Sequence, residues 1–136
     1  MALVNKKNDS KKCVLVVDDE SAIQRFICIS LRASGYEVIT ANNGNEALEM
    51  VDVKKPDLVL LDVFMQGMDG LEVLKRIRTS SSMPVLMTSA RNFIAEKAMG
   101  LGANDFISKP FTPDFLIKKI QTLLPLKNSH GKAVQS

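Results

Sequence analysis

Four apolar runs in this 136-residue chain each end at a reactive polar side chain. Cys13-Val-Leu-Val-Val17 leads into Asp18-Asp19, and Leu58-Val-Leu-Leu61 leads into Asp62. Pro84-Val-Leu-Met-Thr88 leads into Ser89, and Asp105-Phe-Ile-Ser108 leads into Lys109. In an open parallel α/β sheet the carboxyl ends of the strands line one crevice, so three carboxylates, a hydroxyl and an ammonium would meet there. Carboxylates brought that close repel one another, and either one stays protonated or a cation neutralises them. An all-oxygen set without His or Cys suits Mg2+, with Mn2+ as a substitute, better than zinc. Beside such an ion, Lys109 supplies a compact charge and Ser89 a neutral hydrogen bond for a phosphoryl group. Asp62 is then the candidate nucleophile, since a carboxylate can accept a phosphoryl group as an aspartyl phosphate. Metal and lysine would offset charge on the transferred oxygens.

Taken singly, each residue has a plainer reading. Asp18-Asp19 alone would be helix N-cap acids, Asp62 a turn cap, Lys109 a solvated charge and Ser89 a loop hydroxyl. Their common placement at strand ends of one sheet is what points to a site.

The elements that must position these residues follow from periodicity. Glu20 to Ser34 carries Ile23, Phe26, Ile27 and Leu31 on one helical face, and Gly35 ends it. Tyr36 to Ala41 is a fifth strand, without a reactive terminus. Asn43-Gly-Asn-Glu46 reads as a capping box before a helix that buries Ala47, Leu48 and Val51 and closes at Lys55-Pro56. Gly67-Met-Asp-Gly70 is a turn, with Asp69 a turn or cap residue, and Leu71, Val73, Leu74 and Ile77 follow at helical spacing. Phe93, Ile94, Ala98 and Leu101 suggest a helix stopped by Gly100 and Gly102. Thr112 caps a last helix, with Pro113 at its first position and Leu116, Ile120, Leu123 and Leu124 along its face. The pattern is (βα) five times. It predicts an α/β, doubly wound fold with a five-stranded parallel sheet covered by helices on both faces and right-handed crossovers.

Composition narrows the function classes. The chain is of single-domain length, 46% hydrophobic and 24% charged, as soluble globular domains are. No run reaches the apolar length of a membrane span, and Met1-Ala-Leu-Val-Asn-Lys-Lys has no signal-peptide core, so no membrane role and a cytoplasmic location are expected. Cys13 and Cys28 lack C-x-x-C spacing and read as reduced core thiols. The net charge of +3 resides at the ends. Four lysines against Asp9 in residues 1–12 and two lysines in 125–136 place +5 there and leave −2 on residues 13–124. A folded body without a basic face is not expected to bind nucleic acid.

The same residues carry a family resemblance. Asp18-Asp19, Asp62-Val-Phe-Met-Gln-Gly-Met-Asp-Gly70, Pro84-Val-Leu-Met-Thr-Ser-Ala90 and Lys109-Pro-Phe111 together resemble the receiver domain of two-component response regulators. The order and spacing of these motifs, rather than any one of them, make the match. The resemblance implies a flavodoxin-like sandwich with strand order 2-1-3-4-5. It implies a flexible basic extension over 1–11, a receiver domain over 12–125, and a flexible tail or linker start over 126–136, where His130 has no expected role. It implies Asp62 as phosphoacceptor, and Mg2+ held by Asp18, Asp19, Asp62 and the backbone carbonyl of Phe64. Ser89 and Lys109 would contact the phosphoryl group with the backbone N–H groups of Phe64 and Ala90. Phe106 falls on the family's aromatic switch position; from the strand pattern alone it reads as a core residue. A cis bond is common in the family at the step corresponding to Lys109-Pro110. The implied partners are a sensor histidine kinase or histidine phosphotransfer protein and a downstream protein effector. The chain would be a monomer or a phosphorylation-dependent dimer.

Departures fall at four positions. Gln66 replaces a common proline, Ser89 replaces the commoner threonine but keeps the hydroxyl, and Phe64 and Arg91 are bulky and basic at positions that tune phosphoryl lifetime in the family. Competing functions are a receiver cut from a larger regulator with an output domain, a Mg2+-dependent phosphatase, and a flavodoxin-like flavin binder. Such phosphatases often place a second carboxylate two residues after the nucleophile, where this chain has Phe64. The acidic turn Asp18-Asp-Glu20 opposes a flavin phosphate.

Overall fold

A computed structural model describes residues 11–126. Its strands are β1 (Cys13–Val17), β2 (Glu37–Ala41), β3 (Leu58–Asp62), β4 (Val85–Ser89) and β5 (Asp105–Ser108). All pair in parallel, in the order β2-β1-β3-β4-β5. The helices between and after them are α1 (Ser21–Ala33), α2 (Gly44–Lys54), α3 (Gly70–Arg78), α4 (Ala95–Gly100) and α5 (Pro113–Leu123). This is the doubly wound, flavodoxin-like order that the alternation and the resemblance imply.

Each strand feeds two cores, because successive side chains point to opposite faces of a sheet. Val14 and Val16 of β1, Leu58 and Leu60 of β3, Leu86 of β4 and Ile107 of β5 pack with Ile27, Cys28 and Leu31 of α1 and Leu116 and Ile120 of α5. Leu15, Val17, Val59, Leu61, Val85 and Met87 pack on the other face with Ala47 of α2, Val73, Leu74 and Ile77 of α3 and Ala98 of α4. β1, β3 and β4 are buried, mostly apolar runs because neither of their faces meets water, whereas the edge strands β2 and β5 carry exposed Glu37 and Ser108. Tyr36 is also buried, where its hydroxyl donates to the carbonyl of Leu124 at 2.9 Å.

Caps fix where the helices begin and therefore how long the crevice loops are. Asn43 accepts from the Glu46 N–H at 2.9 Å, while the Glu46 carboxylate reaches one residue further back than a standard box, to the Asn42 N–H at 2.6 Å. Asp69 caps α3 by accepting from the Glu72 N–H at 3.0 Å, and Thr112 caps α5 through the Phe115 N–H at 3.2 Å.

Two helical faces differ from expectation. Phe26 is 42% exposed, and Cys28 takes the inward place beside Ile27 and Leu31. Phe93 is 73% exposed, because residues Asn92–Ile94 form a separate 3-10 turn before the short α4. A change of helical pitch rotates the face, so a single 3.6-residue period carried across that junction misplaces the ring. Of the extension expected over 1–11 and the tail over 126–136, all but Lys11 and Leu126 lie outside the described residues, as does His130. Leu126 is partly buried against the α1–α5 core. Among the described residues no helix is long and apolar enough to cross a membrane.

Candidate functional site

Strand register brings the acidic residues together. β1 and β3 pair Val17 with Leu61, so the next rung sets Asp18 beside Asp62. β3 and β4 pair Asp62 with Thr88, and β4 and β5 pair Ser89 with Ser108. Four strand ends thus deliver Asp18, Asp62, Ser89 and Lys109 to one rim. Carboxylate oxygens of Asp18, Asp19 and Asp62 lie within 4.8 Å of one another. Asp18 and Asp62 are buried, at 2% and 6% exposure, whereas Asp19 is exposed.

Lys109 answers the two buried carboxylates. Its Nζ lies 3.0 Å from Asp18 Oδ2 and 3.4 Å from Asp62 Oδ1, with Glu20 at 4.0 Å. Asp18 accepts a further bond from the Glu20 N–H at 2.9 Å, and Asp19 accepts from the Gln66 backbone N–H at 3.0 Å. Burial pushes the Asp62 carboxyl up to about 6; Lys109 pulls against that shift, and Asp18 and Asp19 add to it. Burial alone would lower the Lys109 ammonium, but Asp62 and Asp18 carry it above its ordinary value. With Lys109 as the one cation against three carboxylates, the rim is two positive charges short of neutrality when all are ionised. Its donor set is all oxygen, in line with a hard divalent ion.

Ser89 is fully buried at the end of β4, and its Oγ accepts from the Arg91 N–H at 3.0 Å, so it faces the loop after β4. The Lys109 N–H donates to the Ser89 carbonyl at 2.9 Å, and Lys109-Pro110 is cis. Phe64 is 43% exposed, and the Arg91 guanidinium lies 4.8 Å from its ring centroid, so the two side chains bridge neighbouring loops. With Glu20, Asp62, Ser89, Ala90 and Lys109 they line a cleft of about 240 Å3. Phe106 stands apart from that cleft, half-buried on the α2–α3–α4 face of β5.

Two supporting residues were not visible in the sequence pattern. The Gln24 side-chain amide on α1 donates toward the carbonyls of Asp18 at 3.1 Å and Ala41 at 3.0 Å, and toward Asn42 Oδ1 at 3.2 Å. It ties the ends of β1 and β2 together beneath the acidic pair. Gly70 opens α3 against the backbone of the acceptor strand. Its N–H donates to the Val63 carbonyl at 2.7 Å, and a Cβ there would sit 2.1 Å from the Asp62 carbonyl oxygen. The sequence marks Gly70 as a turn residue and as the last residue of the motif that starts at Asp62; its close approach exists only once α3 folds back on β3.

Comparison with known proteins agrees with this geometry. The family model described as the response regulator receiver domain matches residues 14–121. The alkaline phosphatase synthesis transcriptional regulatory protein PhoP of Bacillus subtilis is 42% identical over 116 residues, 83% of this chain and 48% of PhoP. The chain spans about half the length of the curated relatives it matches. Among solved structures, the receiver domain of NtrX from Brucella abortus superposes with a TM-score of 0.78 at 38% identity, covering 84% of this chain and 99% of that one. The response regulator TrrA of Thermotoga maritima, in complex with Mg2+-BeF, gives 0.78 at 36% identity, covering 83% and 99%. A family match across the whole sheet, with relatives this similar over most of the chain, leads to one conclusion: this chain belongs to the receiver domain family of response regulators.

Proposed function

We propose that the chain is a phosphorylation-dependent signalling switch whose phosphoacceptor is Asp62. The observation that carries this is the convergence of Asp18, Asp19 and Asp62 with Lys109 spanning the two buried acids. An Asp62 carboxylate oxygen attacks phosphorus on a partner's phosphohistidine. A P–O bond forms, the P–N bond breaks, and the imidazole leaves with the electron pair. Asp18, Asp19, Asp62 and the Phe64 carbonyl would hold Mg2+, or Mn2+ in its place. The ion supplies charge stabilisation to the transferred oxygens. Lys109, already poised over Asp62 at 3.4 Å, adds a fixed positive charge on the same side. Ser89 provides the hydroxyl for the phosphoryl group: its Oγ accepts the Arg91 N–H, and its O–H would donate to a phosphoryl oxygen.

The readout rests on Ser89 and Phe106. Movement of Ser89 toward the phosphoryl group would make room for the Phe106 ring and remodel the α4–β5–α5 face for a protein effector. The donor would be a sensor histidine kinase or a histidine phosphotransfer protein in the cytoplasm, and a monomer or phosphorylation-dependent dimer would carry the signal. The chain would catalyse only its own phosphorylation and dephosphorylation. Crystals grown with Mg2+ and beryllofluoride test the assignment. It requires the fluoride adduct on Asp62 and the metal beside Asp18 and Asp19; an empty rim would refute it.

A second reading, a receiver within a larger regulator, is favoured by the coverage of about half of relatives named as transcriptional regulators. The length of the native open reading frame separates the two.

A further inference from the structure

Asp19 is the acid that the rest of the site does not restrain. Lys109 pairs with Asp18 and Asp62, and among the described residues no ion pair reaches Asp19. Asp19 is also exposed, so repulsion from its two buried neighbours would turn it toward water. One hydrogen bond opposes this, from the Gln66 backbone N–H to Asp19 Oδ2 at 3.0 Å. The donor is itself fixed. Met65, the preceding residue, is 9% exposed and packed in the core, and the Gly70 N–H closes the loop onto the Val63 carbonyl at 2.7 Å. A carboxylate has about four lone-pair sites, so one N–H leaves the others to a cation.

We propose that the Gln66 backbone N–H is a positioning group for the metal site: it holds Asp19 in register with Asp18 and Asp62 and so tightens Mg2+ binding. This rests on the metal reading given above and deepens it. The Gln66 side chain is exposed and takes no part; the peptide N–H does the positioning. A proline, which the family pattern commonly carries here, has no N–H to give, so the contact belongs to this chain's departure from that pattern.

Calorimetric Mg2+ titration of the wild type, Gln66→Ala and Gln66→Pro tests it. Gln66→Ala keeps the peptide N–H and should bind within about twofold of wild type. Gln66→Pro deletes the N–H and should bind about threefold to tenfold more weakly, the range for one ordinary intramolecular hydrogen bond. Wild-type affinity or tighter in Gln66→Pro, or equal weakening in both variants, would overturn the positioning role alone. No Mg2+ binding by the wild type would overturn the metal site as well. A metal-free measurement guards against a misfolded proline variant. The Gln66 amide should exchange with solvent several-fold faster in Asp19→Ala than in the wild type; equal rates would overturn the proposal.

Discussion

Asp62 carries opposed demands. As the proposed phosphoacceptor it must be ionised to attack phosphorus, yet burial pushes its carboxyl from an ordinary 3.8 to about 6. Between about pH 4 and pH 6 the folded chain therefore holds a proton that the unfolded chain has released, and stability of the metal-free protein falls as pH rises through that window. Asp62→Asn removes the buried charge. It should raise metal-free stability at pH 7.5 by on the order of 2 kcal/mol, as read by urea denaturation, and the gain should shrink toward pH 4. Lys109→Met has the opposite sign. It leaves Asp18 and Asp62 without their cation, so metal-free stability at neutral pH should drop and its decline with rising pH should steepen. The same denaturation series reads both variants.

At the scale of elements, the site depends on loops held by groups that never touch a phosphoryl group. Gly70→Ala would drive a Cβ into the Asp62 carbonyl, so α3 or the end of β3 must shift. We expect a stability loss of about 1–3 kcal/mol by thermal or urea unfolding, together with weaker Mg2+ binding. Gln24→Leu keeps the bulk but loses the donors that tie Asp18 and Ala41. It should weaken Mg2+ binding by more than its unfolding midpoint predicts, measured by titration beside a melt. These two residues show where sequence reading stops. The strands, the caps at Asn43, Asp69 and Thr112, and the acids at strand ends follow from runs, spacing and residue type, which are local. Gln24 and Gly70 act through contacts made only when β1 meets β2 and α3 meets β3. Phe26 and Phe93 were misplaced for a related reason: helical periodicity gives the spacing of a face, while packing and the 3-10 turn decide which side faces in.

For the whole molecule, a two-layer core anchors five strands, and the reactive groups gather at one rim where the core ends. Binding of a divalent ion there adds stability through mass action. At tenfold excess over Kd, Mg2+ should add about 1.4 kcal/mol and raise the melting temperature, and Asp19→Ala should blunt that rise. The fold and the rim were legible because order and spacing of motifs are properties of the whole chain. The individual kinase and effector were not, because the half-buried Phe106 and the exposed Phe93 describe a surface without naming what covers it. The central claim, that Asp62 takes up phosphorus with the help of a metal, is tested most directly by intact-mass measurement after exposure to a small acyl phosphate. The account predicts a single added phosphoryl group that requires Mg2+, maps to Asp62 and is absent from Asp62→Asn. Labelling of Asp62→Asn equal to wild type, or an unlabelled wild type with Mg2+ present, would contradict it.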